Sequence, residues 1–288
     1  MRHLTRRGFT LVELLVALVL LSIVTMGIYK VLVSNDRVYS AQTQRMELSQ
    51  NIRAAATILP ADFRTLDATD GDIQAMSATS ISMRAIRQLA IICDTPSLGG
   101  LLAGLTLRVR QDPLYGPRMF SPGTDSLLIY YEGDNGTRFD DGWTPAALTS
   151  YTASNCVDGK AGWRLTTNPT LQVGQINLKG NISYGSPVLG FENVTYKLYK
   201  PAGDTSWYIG YQNASGTQPL IGPVLSNGFS LAYYDSTGAV TANPNLVSII
   251  GVTVRARTSI PVRDAGQALR VPIDSFVMKV ALRNNRRY

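Results

Sequence analysis

One carboxylate, Glu13, stands near the start of a long apolar stretch in "RRGFTLVELLVALVLLSIV", residues 6–24. A charged side chain inside hydrocarbon costs roughly 2.5 to 3.5 kcal/mol on insertion scales, so an ionisable group in such a place marks a functional site. In a low-dielectric environment a carboxylate and a cation a few ångströms apart satisfy one another, whereas each alone is heavily penalised. We therefore expect Glu13 to pair with a positive group.

Catalytic chemistry has little support in the sequence. The only histidine is His3, so catalysis by a serine or cysteine with a histidine base, and zinc sites with imidazole ligands, are not expected in the body of the chain. There is no Gly-x-x-x-x-Gly-Lys phosphate loop and no Gly-x-Gly-x-x-Gly that follows a strand. The sequence predicts a protein that is not an enzyme and needs no cofactor or metal.

Three aspartates that lie close in sequence, Asp134, Asp140 and Asp141, are the remaining candidates for carboxylate chemistry or calcium binding. They alternate with the turn pairs Asn135-Gly136 and Asp141-Gly142, which favours a solvated turn, and they lack the EF-hand spacing. Trp143, Trp163 and Trp207 allow an adhesive or carbohydrate-binding surface, although most aromatic residues of a β-rich domain lie in its core.

Two cysteines, Cys93 and Cys156, are far apart in the chain. In an exported protein such a pair is most simply interpreted as one disulfide, and two buried free thiols are the alternative.

An apolar segment over residues 9–28 carries Glu13, and as a helix it measures roughly 30 Å, the thickness of a bilayer core. Arg2, Arg6 and Arg7 precede it and predict that this end stays in the cytoplasm while the residues after Lys30 lie outside. A cleaved secretory signal is the alternative, but the apolar run is long for one and the best small-residue cleavage site, near Ser40, lies far beyond its end.

The same residues resemble the prepilin N-terminus of type IV pilins and type II secretion pseudopilins: a short basic leader ending in Gly8, then Phe9, then Glu13 five residues into the mature chain. The resemblance implies cleavage between Gly8 and Phe9 by a membrane prepilin peptidase and methylation of the Phe9 amine. It also implies that Glu13 meets the amino-terminal charge of a neighbouring subunit in a filament core. Cleavage would remove His3 and leave no histidine.

The carboxyl half carries a weaker resemblance. "NGFSLAYYDSTG", "LVSIIGVTVRART" and "FVMKVALRNNRRY" are similar to the closing region of PilW-type minor pilins and of pseudopilin J, and "NIRAAATILPADFRTLD" is similar to the end of their first helix. The chain length favours the minor pilin, which would act in pilus assembly initiation or in a tip complex. The alternatives are a tip subunit of the secretion pseudopilus and a membrane-anchored binding or adhesion module.

This resemblance also implies partners and a location. The expected partners are other minor and major pilins, the prepilin peptidase and the inner-membrane assembly platform. The expected location is the bacterial inner membrane, as a single-pass protein with its head outside the cytoplasm, and then the pilus at the cell surface. The net charge is +7, and 24 basic against 20 acidic residues remain without the three leader arginines, so nucleic-acid binding is not expected.

Residues 31–66 continue the helical pattern with apolar residues three and four apart, which predicts an amphipathic helix that packs on the rest of the chain. The seam consists of Val38, Ala41, Arg45, Leu48, Ile52, Ala55, Leu59, Phe63 and Leu66. Because Pro60 removes an intrahelical hydrogen bond, we expect a kink, or a break with restart, at that residue.

From about Ser77 onward, period-two runs between turn residues predict antiparallel strands. Examples are residues 105–110, 194–199 and 276–282, and the more apolar runs "SLLIYYEG" and "LVSIIGVTVRA" are candidates for central strands. The predicted fold class is therefore α+β, with a long amino-terminal helix packed on a β-rich antiparallel head. The expected divisions are a leader at 1–8, a membrane or filament-core helix at 9–30, its amphipathic continuation at 31–66 and a head at 67–288.

Overall fold

One long helix, α1 (Leu11–Phe63), dominates the amino-terminal part of the computed structural model. The structure describes residues 10–98, 104–133, 136, 141–168, 182–263 and 268–283. At 1.5 Å per residue the helix is about 80 Å long, so it projects far beyond any head that its carboxyl half covers. The predicted α+β class, with a helix packed on a large antiparallel sheet, is confirmed.

The carboxyl half of α1 buries a stripe against the head: Gln44, Leu48, Ala55, Leu59 and Phe63 are buried. The predicted seam is correct except near its start. Arg45 is exposed, and Gln44 takes the inward position, where its side-chain oxygen accepts a hydrogen bond from the Ile260 amide at 3.1 Å. Val38 is also exposed.

Of the two predicted outcomes at Pro60, a kink or a break with restart, the break is wrong. The helix continues through Pro60 to Phe63, and the Pro60 carbonyl still accepts from the Arg64 amide at 3.0 Å. One missing amide so close to the last turn is tolerated because only three residues follow it in the helix. Leu66, at the end of the predicted seam, is buried but lies in the turn after the helix.

The head is built from antiparallel strands. Their bounds are β1 (Ile73–Met76), β2 (Ser80–Ile91), β3 (Ser97–Leu98), β4 (Leu105–Arg110), β5 (Asp125–Tyr131), β6 (Gly142–Asn155), β7 (Ala161–Thr167), β8 (Pro187–Tyr199), β9 (Trp207–Asn213), β10 (Gly216–Tyr234), β11 (Ile249–Arg257), β12 (Val262–Arg263), β13 (Leu269–Arg270) and β14 (Ile273–Ala281). The main order is β14-β11-β10-β9-β8-β5-β6-β7-β4-β3, while β12 and β13 form a separate hairpin.

Strand β8 joins two hydrophobic cores. It pairs with β2 over residues 187–197, with β5 over residues 188–192 and with β9 over residues 195–199. On the β9 side lies the core that α1 covers, with Phe63, Tyr196 and Phe229 among its largest residues. On the β5 side lies a second core, in which Leu107, Ile129 and other residues of strands β4 to β8 pack together.

The second core is enclosed because its sheet returns on itself. Beyond β2, Ile92 pairs with Val109 of β4, and the Cys93 amide donates to the Arg108 carbonyl at 2.8 Å. Strands β2, β8, β5, β6, β7 and β4 therefore form a closed ring of hydrogen-bonded neighbours. Closure removes the free edges that an open sheet would leave here.

The alternation patterns that predicted strands are confirmed. Residues 105–110 alternate buried and half-buried in β4, and Val194 and Tyr196 of β8 are buried on either side of the half-buried Thr195. "SLLIYYEG" contributes the central strand β5, between β8 and β6, and "LVSIIGVTVRA" contributes β11, paired on both sides. In the edge strand β14, Val280 is buried and Val277 is exposed, as its irregular alternation indicated.

Candidate functional site at the amino-terminal half of the helix

The amino-terminal half of α1 carries an apolar surface that nothing in the described chain covers. Its large aliphatic residues from Leu11 to Leu32 are each at least half exposed. Among the described residues, α1 is the one helix long and apolar enough to cross a membrane. So large an apolar surface does not stay in water, so lipid or other apolar helices must cover it.

The polar groups of this segment are satisfied within the helix. The Ser22 hydroxyl donates to the Val19 carbonyl and the Thr25 hydroxyl donates to the Leu21 carbonyl, each at 2.7 Å. A hydroxyl bonded to its own helix backbone adds little cost in hydrocarbon. Glu13 is then the one charged side chain between Leu11 and Tyr29.

Glu13 closes a capping box at the start of α1. The Glu13 amide donates to the Thr10 hydroxyl oxygen at 3.2 Å, and the Glu13 carboxylate accepts from the Thr10 amide at 3.2 Å and the Thr10 hydroxyl at 3.1 Å. These bonds satisfy orphan amides of the first turn, and the negative charge lies at the positive end of the helix dipole. Sequence reasoning assigned Glu13 to an ion pair and missed this local role, although Thr10-x-x-Glu13 is the capping-box pattern.

Gly8 and Phe9, the predicted processing and methylation residues, lie outside the described residues. Their role therefore stays a prediction from the sequence. Thr10 is the first described residue, so the structure shows the contacts of Glu13 with the helix that follows and with Thr10.

Comparison with known families identifies the same segment. Residues 4–29 match the family described as the prokaryotic N-terminal methylation motif. The match supports a type IV pilin-like protein. The family is structural rather than enzymatic, and its motif implies processing by a peptidase and assembly with other pilins. Residues 4–29 are a small part of the 288-residue chain. They contain Glu13 and most of the exposed apolar segment, and none of the head.

Other comparisons add nothing to the pilin-like assignment. No curated protein and no solved structure matches the chain. The pilin-like architecture therefore rests on the motif together with one long amino-terminal helix packed on an antiparallel sheet.

A network of charged and aromatic side chains lies at the other end of the pilin-like helix. Arg87 of β2 donates to both carboxylate oxygens of Asp62 on α1, at 2.9 and 3.2 Å, and lies 3.5 Å from Glu192 of β8. The Tyr196 hydroxyl also donates to Asp62, at 2.7 Å. The network thus joins the last turn of α1 to the two strands that border both cores.

Glu192 extends this network toward the second core. Its carboxylate accepts from the Tyr211 hydroxyl at 3.0 Å and from the Asn213 amide group at 2.9 Å. Arg118 lies 3.4 Å from Glu192 and makes a two-pronged contact with the buried Asp125. Each of these charged groups has a partner of opposite charge in the described structure, so we interpret the network as structural.

The electrostatics of the network agree with a structural role. Burial works against the charge of Arg87, but its hydrogen bonds to Asp62 prevail and raise the pKa of the guanidinium. Burial, followed by the negative charge of Asp62, raises the pKa of Tyr196. Both groups therefore keep their protons throughout the physiological range, which suits a fixed link rather than an acid or base.

The sulfur atoms of Cys93 and Cys156 are bonded, with their Cα atoms 5.5 Å apart. Cys93 follows β2 and Cys156 follows β6, so the disulfide crosses one end of the closed ring of strands. Gly162 of β7 lies beneath it: a Cβ atom there would stand 2.9 Å from Cys156 Sγ and 2.7 Å from the Val109 carbonyl oxygen. Glycine at this position lets the disulfide approach the sheet.

Replacing both cysteines, Cys93→Ser with Cys156→Ser, should lower the free energy of unfolding by about 4 kcal/mol. This is the chain-entropy value for a disulfide between residues 63 positions apart. The measurement is denaturant unfolding of the detergent-solubilised chain, with reductant as a second condition. Wild type should lose the same amount on reduction and the double variant nothing. Rapid alkylation of both cysteines in the native wild type would contradict this prediction.

The remaining sequence candidates have structural partners or lie outside the described residues. Asp141 accepts from the Tyr130 hydroxyl at 2.8 Å and from the Gly133 amide at 3.0 Å, which supports the turn interpretation. Asp134 and Asp140 lie outside the described residues. No group of three metal-ligating side chains occurs among the residues that the structure describes.

The tryptophans are half-buried. Trp143 packs edge-on against Tyr130 with ring centroids 5.4 Å apart, and Trp163 packs against Tyr151 at 4.6 Å. Trp207 packs against the helix-covered core. These contacts fit the expected core and strand positions, and Trp143 also borders an open groove.

Sequence reasoning also missed Asp72, a carboxyl group in the turn between α1 and β1. Asp72 is 4% exposed, its Oδ2 accepts from the Asp67 amide at 2.8 Å, and Arg84 lies 3.6 Å from its Oδ1. Burial raises the pKa of Asp72 to about 6, with Asp67 and Asp70 adding to the rise and the Asp67 amide and Arg84 opposing it.

Asp72→Asn should stabilise the head at neutral pH. Since the pKa of Asp72 is higher in the folded protein, the folded state holds a proton that the unfolded chain releases, and stability falls as the pH rises from about 4 to about 6. A difference of about two pKa units corresponds to roughly 3 kcal/mol above pH 6, and asparagine keeps an acceptor for the Asp67 amide. Denaturant unfolding at pH 4.5 and 7.5 checks this: the gain of the variant should be roughly three times larger at pH 7.5 than at pH 4.5. Equal gains at both pH values would contradict it.

Proposed function

We propose that this chain is a minor, PilW-like subunit of a type IV pilus that acts in assembly initiation or in a tip complex. The observation that carries the proposal is the exposed apolar half of α1, which coincides with the methylation motif. An apolar helix of this length serves first as an anchor in lipid and then as a strand of a helical filament core. The head is large compared with α1, which suits a subunit present in few copies.

The divisions of the chain follow from this proposal. Residues 1–8 are a leader, residues 9–30 lie in the membrane and later in the filament core, residues 31–66 hold the helix on the head, and residues 67–288 form the head. The arginines of the leader support an orientation with the head outside the cytoplasm. Its partners are then the prepilin peptidase, the inner-membrane assembly platform and other minor and major pilins.

Processing at Gly8 and Phe9 provides the first test. Intact mass and amino-terminal sequencing of the membrane-extracted protein should show the loss of eight residues and a methyl group on Phe9. Gly8→Val should leave the leader attached, because a branched side chain crowds the scissile bond. Gly27→Val changes a glycine that no neighbouring atom crowds, and it should be processed normally. A mature protein that begins elsewhere, for example after Ser40, would refute the assignment.

Gene deletion distinguishes a pilus from a secretion pseudopilus. Loss of pili with protein secretion intact supports the minor pilin, and loss of secretion with pili intact supports the pseudopilin J-like alternative. A membrane-anchored binding module would affect neither apparatus. Electron microscopy of filaments labelled on this chain addresses that third case, since a module confined to the membrane would leave the filaments unlabelled.

A further inference from the structure

The β12–β13 hairpin lies beside α1 just beyond the apolar segment. The amide of Ile260, which precedes β12, donates to Gln44 of the helix at 3.1 Å. Residues 261–263 and Leu269 then share a groove of about 330 Å³ with the turns of α1 from Val33 to Ala41. The hairpin therefore extends along the helix from the level of Gln44 toward the exposed apolar half.

Helix geometry gives the height of this hairpin above a membrane. With residues 9–30 in the bilayer, as proposed above, the apolar core ends near Lys30, the first charged residue after Glu13. At 1.5 Å per residue, Val33 lies about 5 Å and Ala41 about 17 Å beyond Lys30 along the helix axis. The headgroup layer on each side of a bilayer core is about 5 to 8 Å thick. The hairpin then lies at the headgroups or directly above them, and the inference below rests on that membrane position.

The side chains on this surface are suited to an anionic bilayer. Leu269 of β13 is 63% exposed, and the adjacent Arg270 is also exposed. Of the charged residues described in the groove and the hairpin, Arg37, Arg263 and Arg270 are basic and Asp36 is acidic. Among the described residues neither Arg37 nor Arg270 forms an ion pair. The surface thus combines an exposed aliphatic side chain with an excess of guanidinium groups.

We propose that the β12–β13 hairpin and the facing turns of α1 dock on the headgroups of anionic phospholipids in the bilayer that anchors the helix. Arg37 and Arg270 contact lipid phosphates, for which the planar guanidinium is a two-pronged donor, and Leu269 enters the interface. Side chains of a helix tilt toward its amino terminus, so Arg37 leans toward the membrane.

Position and charge together favour a lipid surface over another protein helix. Attraction to an anionic surface decays within a Debye length, about 8 Å at physiological ionic strength, so it acts on residues just beyond the end of the apolar segment. An apolar helix of a neighbouring subunit would leave the guanidinium groups of Arg37 and Arg270 against hydrocarbon without a counter-charge. Docking on lipid restricts the orientation of the head while the chain is anchored, and it ends when the subunit leaves the bilayer.

A fluorescent label on the hairpin tests this docking in the full chain. Ala268→Cys carries an environment-sensitive nitrobenzoxadiazole group; Ala268 is exposed, and the two native cysteines are bonded to each other. The labelled chain is placed, one per disc, in lipid nanodiscs of phosphatidylcholine or of equal parts of phosphatidylcholine and phosphatidylglycerol. We expect the emission of an apolar environment in the anionic discs at low salt, and that of water in the neutral discs and at high salt.

A second label position controls for effects of the lipid on the dye. Val240 is 78% exposed in the turn after β10, next to the end of that strand where Tyr234 pairs with Ile249. The strand β11 that starts at Ile249 has its other end, Arg257, at the side of the hairpin. The same label on Val240→Cys should therefore report water in both kinds of disc.

Charge variants identify the residues responsible. Arg37→Gln with Arg270→Gln should lower the ratio of docked to free hairpin at least about tenfold, because each basic residue near an anionic surface adds a several-fold preference. Lys160→Gln with Arg164→Gln removes the same two charges from exposed residues at β7, in the part of the head that contains the second core. This control pair should dock like the parent.

The outcomes separate the docking from the anchor. Water-like emission from the Ala268 label in both kinds of disc, or equal docking by the Arg37 and Arg270 double variant, would overturn the docking and leave the membrane anchor intact. Shielding that is the same in neutral discs and grows with two chains per disc would also overturn it and assign the surface to a second copy. Failure of the chain to enter either kind of disc would contradict the anchor itself, and the docking with it.

Discussion

Arg87→Met should lower the free energy of unfolding by about 3 to 5 kcal/mol, the usual cost of removing one member of a buried ion pair. The side chain of Arg87 is 13% exposed, and it donates to Asp62 on α1 while facing Glu192 on β8. Methionine fills a similar volume but leaves both carboxylates without this donor. Since Asp62 lies in the last turn of α1, the loss should fall on the attachment of the helix to the head.

Denaturant unfolding of the detergent-solubilised chain measures the loss, and hydrogen exchange locates it. Amide protons of α1 between Gln44 and Phe63 should exchange faster in the variant, because the link from Asp62 to β2 is gone. Arg110→Met is a matched control: Arg110 pairs with Asp158 at 2.8 Å, and that carboxylate is 34% exposed to water, so the loss of the pair should change stability far less.

A second substitution tests whether the loss of stability in Arg87→Met comes from an unpaired charge at Asp62. Asp62→Asn removes the charge but still accepts from the Tyr196 hydroxyl. Asp62→Asn combined with Arg87→Met should therefore be more stable than the sum of the two single changes predicts, because no unpaired charge remains at Asp62. Additive losses would show that Asp62 and Arg87 do not stabilise one another. A loss in Arg87→Met no larger than that in Arg110→Met would contradict the buried-pair interpretation.

Local sequence patterns predicted the elements of this fold well. The three-and-four spacing from Leu48 to Phe63 and the alternation in β4 and β8 report which face of an element is buried, and that information lies within a few residues. The error at Arg45 arose where helix and head first meet, because the first inward position there is polar. Gln44 lies inward and accepts a hydrogen bond from the amide of Ile260, a residue over 200 positions away that no local pattern records.

The Arg87 network and the burial of Asp72 were beyond sequence reasoning for the same physical reason. Arg87 meets partners 25 and 105 positions away in the chain, and no local pattern records which strands become neighbours. The sequence pattern around Asp67, Asp70 and Asp72 is typical of an ordinary turn. The burial of Asp72 follows only from the packing of that turn against the strands of the head. The two cores likewise depend on β8 changing partners along its length, which its uniform strand pattern does not indicate.

Glu13→Gln should leave membrane insertion intact and reduce entry into the filament or initiating complex at least about tenfold. Removing one member of a desolvated charge pair costs a few kcal/mol, whereas a neutral side chain makes the segment easier to insert. The structure indicates that this substitution changes the charge of residue 13 and leaves the helix cap in place. Glutamine also serves in a capping box, so Glu13→Gln keeps the bond to the Thr10 amide and removes only the charge.

Two further variants separate the charge from the cap. Glu13→Ala removes both, and Thr10→Val removes the hydroxyl that accepts from the Glu13 amide while it keeps the charge. If assembly depends on an ion pair between subunits, Glu13→Gln and Glu13→Ala fail alike and Thr10→Val assembles. If the role of Glu13 is to start the helix, Glu13→Gln assembles and Thr10→Val fails with Glu13→Ala. The ratio of filament-associated to membrane-bound protein, with leader cleavage checked in every variant, decides between them.

The first outcome is expected because a capping box alone does not require a charge at this position. Among the described residues the carboxylate accepts from Thr10 alone, and a neutral glutamine would do that at lower cost in hydrocarbon. A charged side chain at this position is therefore favourable only if a cation pairs with it after assembly. The methylated amine of a neighbouring Phe9 is the cation that the motif would supply. Normal assembly of Glu13→Gln would leave the capping box as the sole role of Glu13.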